Sequence, residues 1–272
     1  GRNGVIAGTT GAAAERAGLE ALLQGGGAAD AVLTTALAQI TLAMGSWVSY
    51  AGMLTMVYYD AGSGRFFNLN AGFNTVAGED DPLSIPAQVN PLSPRPDAEV
   101  RPSGRTALVP GFMAGVEAAH EKFGRLPFKE LFGPAIYYAE HGFELTPFHA
   151  GLINLRRKVL ARLPETKAIF AKPDGSWAAA GDVFKQPALA AALRRVADRG
   201  AAEMYTGEWA RKFVDAVRRD GGKMTLDDLE NYRAVWSDPL EIPYGAFKIL
   251  APGLPAQGGV HLAEALNVAS QA

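Results

Sequence analysis

The chain has 272 residues, 48% hydrophobic and 20% charged, an ordinary globular composition with ample material for a large core. A net charge of −2, from 26 basic and 28 acidic residues with no basic stripe, argues against a nucleic-acid partner. No apolar run is long enough to span a bilayer, and the lack of cysteine excludes disulfides, thiol nucleophiles and cysteine-ligated metals.

In chain order, Val5-Ile6-Ala7 between Gly4 and Gly8 suits a first strand. Thr9 or Thr10 can cap a helix that runs to about Gln24 and stops at Gly25-Gly26-Gly27. The next helix, Ala28 to Ala43, is apolar on nearly all sides and is expected to be buried on nearly all sides. A loop from Met44 to Gly52 follows. Met53 to Asp60 and Arg65 to Asn70 read as strands of a hairpin, because Ala61-Gly62-Ser63-Gly64 has hairpin chemistry. The first strand does not alternate cleanly, which predicts a layer on each side of the sheet.

Ala71 to Arg105 is proline-rich and irregular, the kind of long segment that either walls a site or runs over the surface. Thr106-Ala107-Leu108-Val109 reads as a strand closed by Pro110-Gly111. Helices are then predicted from Phe112 to Gly124, Pro127 to Glu140 and Pro147 to Leu163, with a turn at Asp174-Gly175. Two more end at Gly200 and at Gly221-Gly222, and a capping box at Thr225-Leu226-Asp227-Asp228 starts a short one. Tyr244 to Leu250 is strand-like, Ala251 to Pro255 is a turn, and Gly258 to Ser270 is a last helix. There is no internal repeat. Residues 1–272 are expected to form one unit with a helical region over about 111–235 packed on its outside.

Self-contained chemistry is missing. His120, His141, His149 and His261 lack helical metal-pair spacing, and there is no HExxH. No serine lies in a GxSxG elbow, and no lysine follows Gly25-Gly26-Gly27 where a phosphate loop needs one. Glu79-Asp80-Asp81 and Asp227-Asp228 are most simply loop and cap residues. No metal and no cofactor is expected.

Several segments, in order, resemble the large subunit of the γ-glutamyltranspeptidase family. They are Ala17-Gly18-Leu19 with Gly25-Gly26 and Ala29-Asp30-Ala31; Val109-Pro110-Gly111 with His120 and Phe123-Gly124; and Gly181-Asp182. The most specific are Met204-Tyr205-Thr206-Gly207 and Gly221-Gly222-Lys223-Met224-Thr225 with Asp228-Leu229 and Tyr232, followed by Pro255-Ala256-Gln257-Gly258-Gly259. The resemblance implies an α+β fold, the four-layer αββα sandwich of N-terminal nucleophile hydrolases, completed by a small subunit cut from the same precursor. It also implies that a threonine at the start of that subunit is the nucleophile and its α-amine the base. Gly1 has no side chain to attack with, so no catalytic residue is expected in this chain. A dimer of such heterodimers is compatible with the resemblance.

The chain departs from the family where the substrate is gripped. Leu69 to Val76 fills the place where the family usually has an arginine–glutamate pair, whose arginine holds the donor's α-carboxylate, and Gly72 falls about where that arginine would be. Glycine and asparagine cannot make a bidentate carboxylate clamp. Trp47 and Tyr50 either reshape the pocket or belong to the core. Asn70, Gly72, Phe73 and Asn74 are therefore the candidate substrate-binding residues. The expected substrate is a small amide, oxamate-like or an acyl amide, rather than a γ-glutamyl compound. One alternative is a γ-glutamyl transferase-hydrolase clamped by Arg101 or Arg105. Another is an inactive relative with a binding or structural role. A cytoplasmic location is favoured over a periplasmic or secreted one, with no membrane partner.

Overall fold

A computed structural model describes residues 4–8, 11–85 and 102–270. Helix α1 (Ala12–Leu23) turns at Gly25, with φ +93°, into α2 (Ala28–Leu42), and the two pack as a hairpin. Their crossing is close. A Cβ at Gly18 would collide with Thr35 Oγ1 and the Ala31 carbonyl, so only glycine fits. Asp30 is fully buried at the start of α2. Its carboxylate accepts the Gly27 N–H at 2.7 Å and also the Arg125 and Leu126 N–H groups, at 3.0 and 3.3 Å. The Ala29-Asp30 signature thus ties the first turn of α2 to a loop about a hundred residues away in sequence.

Strands β1 (Leu54–Asp60) and β2 (Arg65–Ala71) form an antiparallel hairpin, with Leu54 opposite Ala71 and Asp60 opposite Arg65. Asp60 shapes the turn by accepting the Gly62 and Ser63 N–H groups. Beyond β2, the chain from Gly104 to Thr106 makes a short 3-10 turn and then enters α3 (Phe112–Phe123), which packs on the hairpin. Gly115 permits this, because its missing Cβ would sit 2.6 Å from the Ala71 Cβ.

A 3-10 turn at Phe128–Phe132 leads into α4 (Gly133–His141). The short strand β3 (Phe143–Glu144) and then α5 (Pro147–Leu160) and α6 (Pro164–Phe170) follow. β4 (Val183–Phe184) pairs with β3. Helices α7 (Pro187–Arg199), α8 (Ala202–Tyr205), α9 (Glu208–Arg219) and α10 (Leu226–Glu230) complete the helical half. β5 (Val235–Ser237) then adds to the free edge of β2, with Asn70 opposite Val235 and Asn68 opposite Ser237. β6 (Leu240–Tyr244) and β7 (Phe247–Ala251) form a second hairpin, and α11 (Gln257–Ala269) packs on it. The main core joins Leu33 and Leu37 of α2, Met113 and Val116 of α3, Leu131, Phe132, Leu193, Val214, Leu229 and Tyr232. Among the described residues, no helix is long and apolar enough to cross a membrane.

Five expectations are corrected. Residues 4–8 form no strand, because no described strand pairs with Val5-Ile6-Ala7. Thr106 to Val109 is also not a strand. Gly104 to Thr106 is drawn into the 3-10 turn, and only Val109 finds a partner, in a single bridge to Asn74. The helix expected from Pro127 begins as a 3-10 turn, and α4 starts only at Gly133, followed by Pro134 in its first turn. Pro164 divides the predicted Pro147–Leu163 helix region, closing α5 at Leu160 and opening α6. The single strand expected at Tyr244 to Leu250 is a hairpin that turns at Gly245, φ +57°.

Candidate functional site

The expected binding residues lie where β2 leaves the sheet. Asn70 is buried, and its Oδ1 accepts the Gly72 N–H at 2.9 Å. That bond fixes which way the amide points. Its Nδ2 is buried with no hydrogen-bond partner among the described residues. Gly72 offers its carbonyl to Tyr232 Oη, which donates at 2.6 Å. Asn74 is held by its backbone, which exchanges two hydrogen bonds with Val109. Phe73, between them, is 40% exposed.

Two tyrosines support this turn from beneath. Tyr205 and Tyr232 stack at 5.6 Å. Tyr205 Oη donates to the Pro110 carbonyl at 2.9 Å and accepts the Ala114 N–H. Burial pushes the Tyr232 hydroxyl up to about 12, and pushes Tyr205 up as well, so both stay protonated as donors. Gly111 fits between them and the 72-turn. A Cβ there would strike Tyr232 Oη and the Ala71 carbonyl.

A cavity of about 360 Å³ opens beside Phe73. Its walls are Ala36 and Ile40 of α2, the segment from Trp47 to Met53, and Phe112. The segment is pinned at both ends. The Gly111 and Phe112 N–H groups donate to the Gly52 carbonyl at 2.9 and 3.0 Å. Tyr50 Oη donates to the Leu37 carbonyl at 2.6 Å and accepts from Thr41 Oγ1, with its ring edge-on to Phe112. Tyr50 is therefore a core anchor, whereas Trp47 is 50% exposed and lines the cavity. Of the expected binding residues only Phe73 reaches this cavity; Asn70, Gly72 and Asn74 are not among its lining residues.

Among the described residues, no charged side chain lines the cavity. Arg105 is engaged elsewhere. It makes a two-pronged pair with Glu79, at 2.9 and 2.7 Å, and also donates to the Asp81 carbonyl and Ser84 Oγ. Arg101 lies outside the described residues. Arg65 sits over the Phe67 ring at the far end of β2. Among the described residues, no cluster of histidine and carboxylate side chains could hold a metal. Three of the four histidines have structural partners: His120 bonds the Leu126 carbonyl, His141 the Tyr137 carbonyl, and His149 accepts the Thr146 N–H in the α5 cap. Sequence reasoning quoted Tyr205 and Tyr232 without a role and read Phe112 only as core. Nothing in the pattern signals their contacts with residues 40–160 positions away.

The sequence model of the family described as gamma-glutamyltranspeptidase matches residues 14–272. The chain belongs to that family. A glutathione hydrolase proenzyme of Pseudomonas aeruginosa is 35% identical over 164 residues, which is 60% of this chain and 28% of the relative. The acylase ACY 1 proenzyme of Pseudomonas sp. strain V22 is 30% identical over 258 residues, 94% of this chain and 46% of the relative. The γ-glutamyltranspeptidase of Helicobacter pylori has a solved structure that superposes with a TM-score of 0.85 at 25% identity, covering 99% of this chain and 77% of that one. The chain spans less than half the length of these two curated relatives. The fold is accordingly α+β, of the N-terminal nucleophile hydrolase type. As a γ-glutamyltranspeptidase-family chain it has a glycine, Gly72, where the resemblance puts the carboxylate-gripping arginine.

Proposed function

We propose that this chain is the large-subunit part of a self-processing amidohydrolase whose reactive threonine sits on a companion chain from the same precursor. The threonine hydroxyl attacks the carbonyl carbon of a small acyl amide, and its α-amine takes the hydroxyl proton. That proton passes to the leaving nitrogen as the C–N bond breaks. Water then attacks the resulting ester, giving the carboxylic acid and restoring the hydroxyl; an amine in place of water gives transfer. Backbone donors of the companion chain hold the oxyanion. From this chain, Phe73 walls the donor side, and Gly72 and Asn74 set the turn. Asn70 Nδ2 is a buried donor that needs an acceptor, and an incoming carbonyl can supply one.

One observation carries the reading. The guanidinium of Arg105 is already held by Glu79, and the resemblance puts Gly72 about where the family's clamping arginine would stand. A γ-glutamyl donor would bring a carboxylate that this surface leaves unpaired. A second reading, a glutathione hydrolase, is favoured by the 35% identity to the Pseudomonas aeruginosa proenzyme. The two separate on one experiment. The whole precursor is produced, its bands are resolved on a gel, and the smaller is sequenced from its N-terminus. Phenylacetyl and γ-glutamyl anilides and oxamate are then assayed with the processed protein. Processing to a threonine with acyl-anilide hydrolysis supports the proposal. An unprocessed chain, or a residue other than threonine, overturns it.

A further inference from the structure

We infer that the cavity between α2 and the Trp47–Met53 segment holds the donor's acyl side chain, and that this side chain is uncharged and aromatic or aliphatic. The inference rests on the amidohydrolase reading for its chemistry and on the cavity alone for its specificity. Three large apolar side chains, Trp47, Met53 and Phe73, are 50%, 52% and 40% exposed, and all three line the same cavity. Exposed apolar side chains that converge on one concave surface mark a binding site more often than scattered ones do. They come from two segments, each fixed by its own hydrogen bonds. Tyr50 and the α3 N-terminus hold the Trp47–Met53 wall, and Tyr232 holds the turn that carries Phe73.

The polar side chains of the lining are Gln39 and Ser49, both neutral. A carboxylate or ammonium placed there would lose water without gaining a counter-charge. An apolar side chain would gain contact with rings on two sides. The Arg156 guanidinium stands over the Trp47 ring at 5.7 Å and lines a different surface with Met44, Ser46 and Leu160. It is not among the cavity's lining residues. The volume of about 360 Å³ suits one small-molecule side chain rather than a peptide segment.

The test uses the processed full-length protein. Phenylacetyl and γ-glutamyl anilides are compared by kcat/KM, and binding of phenylacetone, an uncharged ketone that cannot be hydrolysed, is measured by calorimetry. Trp47→Ala and Phe73→Ala should each raise KM for the phenylacetyl anilide and Kd for phenylacetone about tenfold, the loss expected from one buried ring contact. Trp47→Phe should recover most of it, which separates lost contact from lost folding. Phenylacetone affinity indifferent to both alanine variants, with the phenylacetyl anilide still preferred, overturns the inference and leaves the amidohydrolase reading standing; preference for the γ-glutamyl anilide overturns both. Phenylacetone binding that both variants weaken, without turnover of any amide, supports the cavity and overturns the amidohydrolase reading.

Discussion

The two faces of the β1–β2–β5 sheet come from the same strands and are finished differently. On one face Leu54, Met56 and Tyr58 alternate with Leu69 and Phe67 under α3. Phe123 stacks on Tyr58 at 4.0 Å and meets Phe67 and Trp236, and the Lys122 ammonium sits over Phe67 and Trp236. The other face carries Thr55, Tyr59, Phe66, Asn68, Asn70 and Val235. Tyr59, Phe66 and Val235 stay exposed, while Asn68 and Asn70 are buried along the central strand, each with one amide atom lacking a partner among the described residues. An expected layer on each side of the sheet is met by α3 on the first face alone. The first face is closed by the chain's own aromatics. The second presents unsatisfied amides and bare rings, a combination that costs free energy until something covers it.

The comparison can be broken most forcefully at Asp30, behind the closed side. Asp30→Ala removes the acceptor for the Gly27, Arg125 and Leu126 N–H groups. Each of these part-buried donors left without its acceptor costs about 1 kcal/mol, so the loss should reach about 3 kcal/mol, read as a lower guanidinium midpoint. A loss under about 1 kcal/mol would mean that water replaces the carboxylate and that the α2–α3 junction is looser than its geometry.

Neighbouring tyrosines sharpen the contrast between faces. Tyr58→Ala deletes a ring stacked on Phe123 and should cost about 2–3 kcal/mol. Tyr59→Ala removes a ring 53% exposed on the other face and should cost less than about 1 kcal/mol in this chain alone. Equal losses in parallel thermal melts would show that the second face is closed too. Tyr232→Phe comes next. It leaves the Tyr205 stack intact but frees the Gly72 carbonyl, for a loss of about 1 kcal/mol. Because that bond positions the turn of Phe73, KM for an acyl anilide should rise while the melting midpoint moves little.

Much of the fold was legible because its signals are local. The helices follow apolar spacing, glycine stops and the Thr225 capping box, whose side chain accepts the Asp228 N–H as expected. The hairpin follows its turn. What stayed hidden depends on partners distant in sequence. Val5-Ile6-Ala7 has strand composition and no strand to pair with. β5, three residues long, is too short for any pattern and exists because β2 offers it an edge. Trp47 and Tyr50 are similar residues three apart in one loop, and their fates diverge only because the Tyr50 hydroxyl reaches the Leu37 carbonyl while Trp47 turns outward. For the candidate site, the resemblance pointed to the turn at Gly72 and Phe73, of which Phe73 lines the cavity. The cavity itself needs α2, the 47–53 loop and Phe112 in one place, which composition cannot report.

The smallest effect is electrostatic and belongs to the loop beyond Phe73. Arg105 hydrogen-bonds the Glu79 carboxylate and holds its pKa at about 2, down from 4.5, with Lys223 adding to the field. The sign follows from that depression. The folded chain binds this proton less readily than the unfolded chain, so the pair stabilises fully above pH 4.5 and progressively less as pH falls toward 2. Arg105→Ala should therefore change stability at neutral pH only slightly, because a partly exposed pair is screened by solvent. It should also flatten the acid limb of a melting-midpoint profile between pH 4.5 and 2, since Glu79 would lose the largest cause of its depression and keep only the smaller pull of the Asp81 N–H and Lys223. The same variant bears on the site. If Arg105 is committed to Glu79 as the geometry shows, its loss leaves selectivity between phenylacetyl and γ-glutamyl anilides unchanged. Selective loss of γ-glutamyl turnover would make Arg105 a clamp after all.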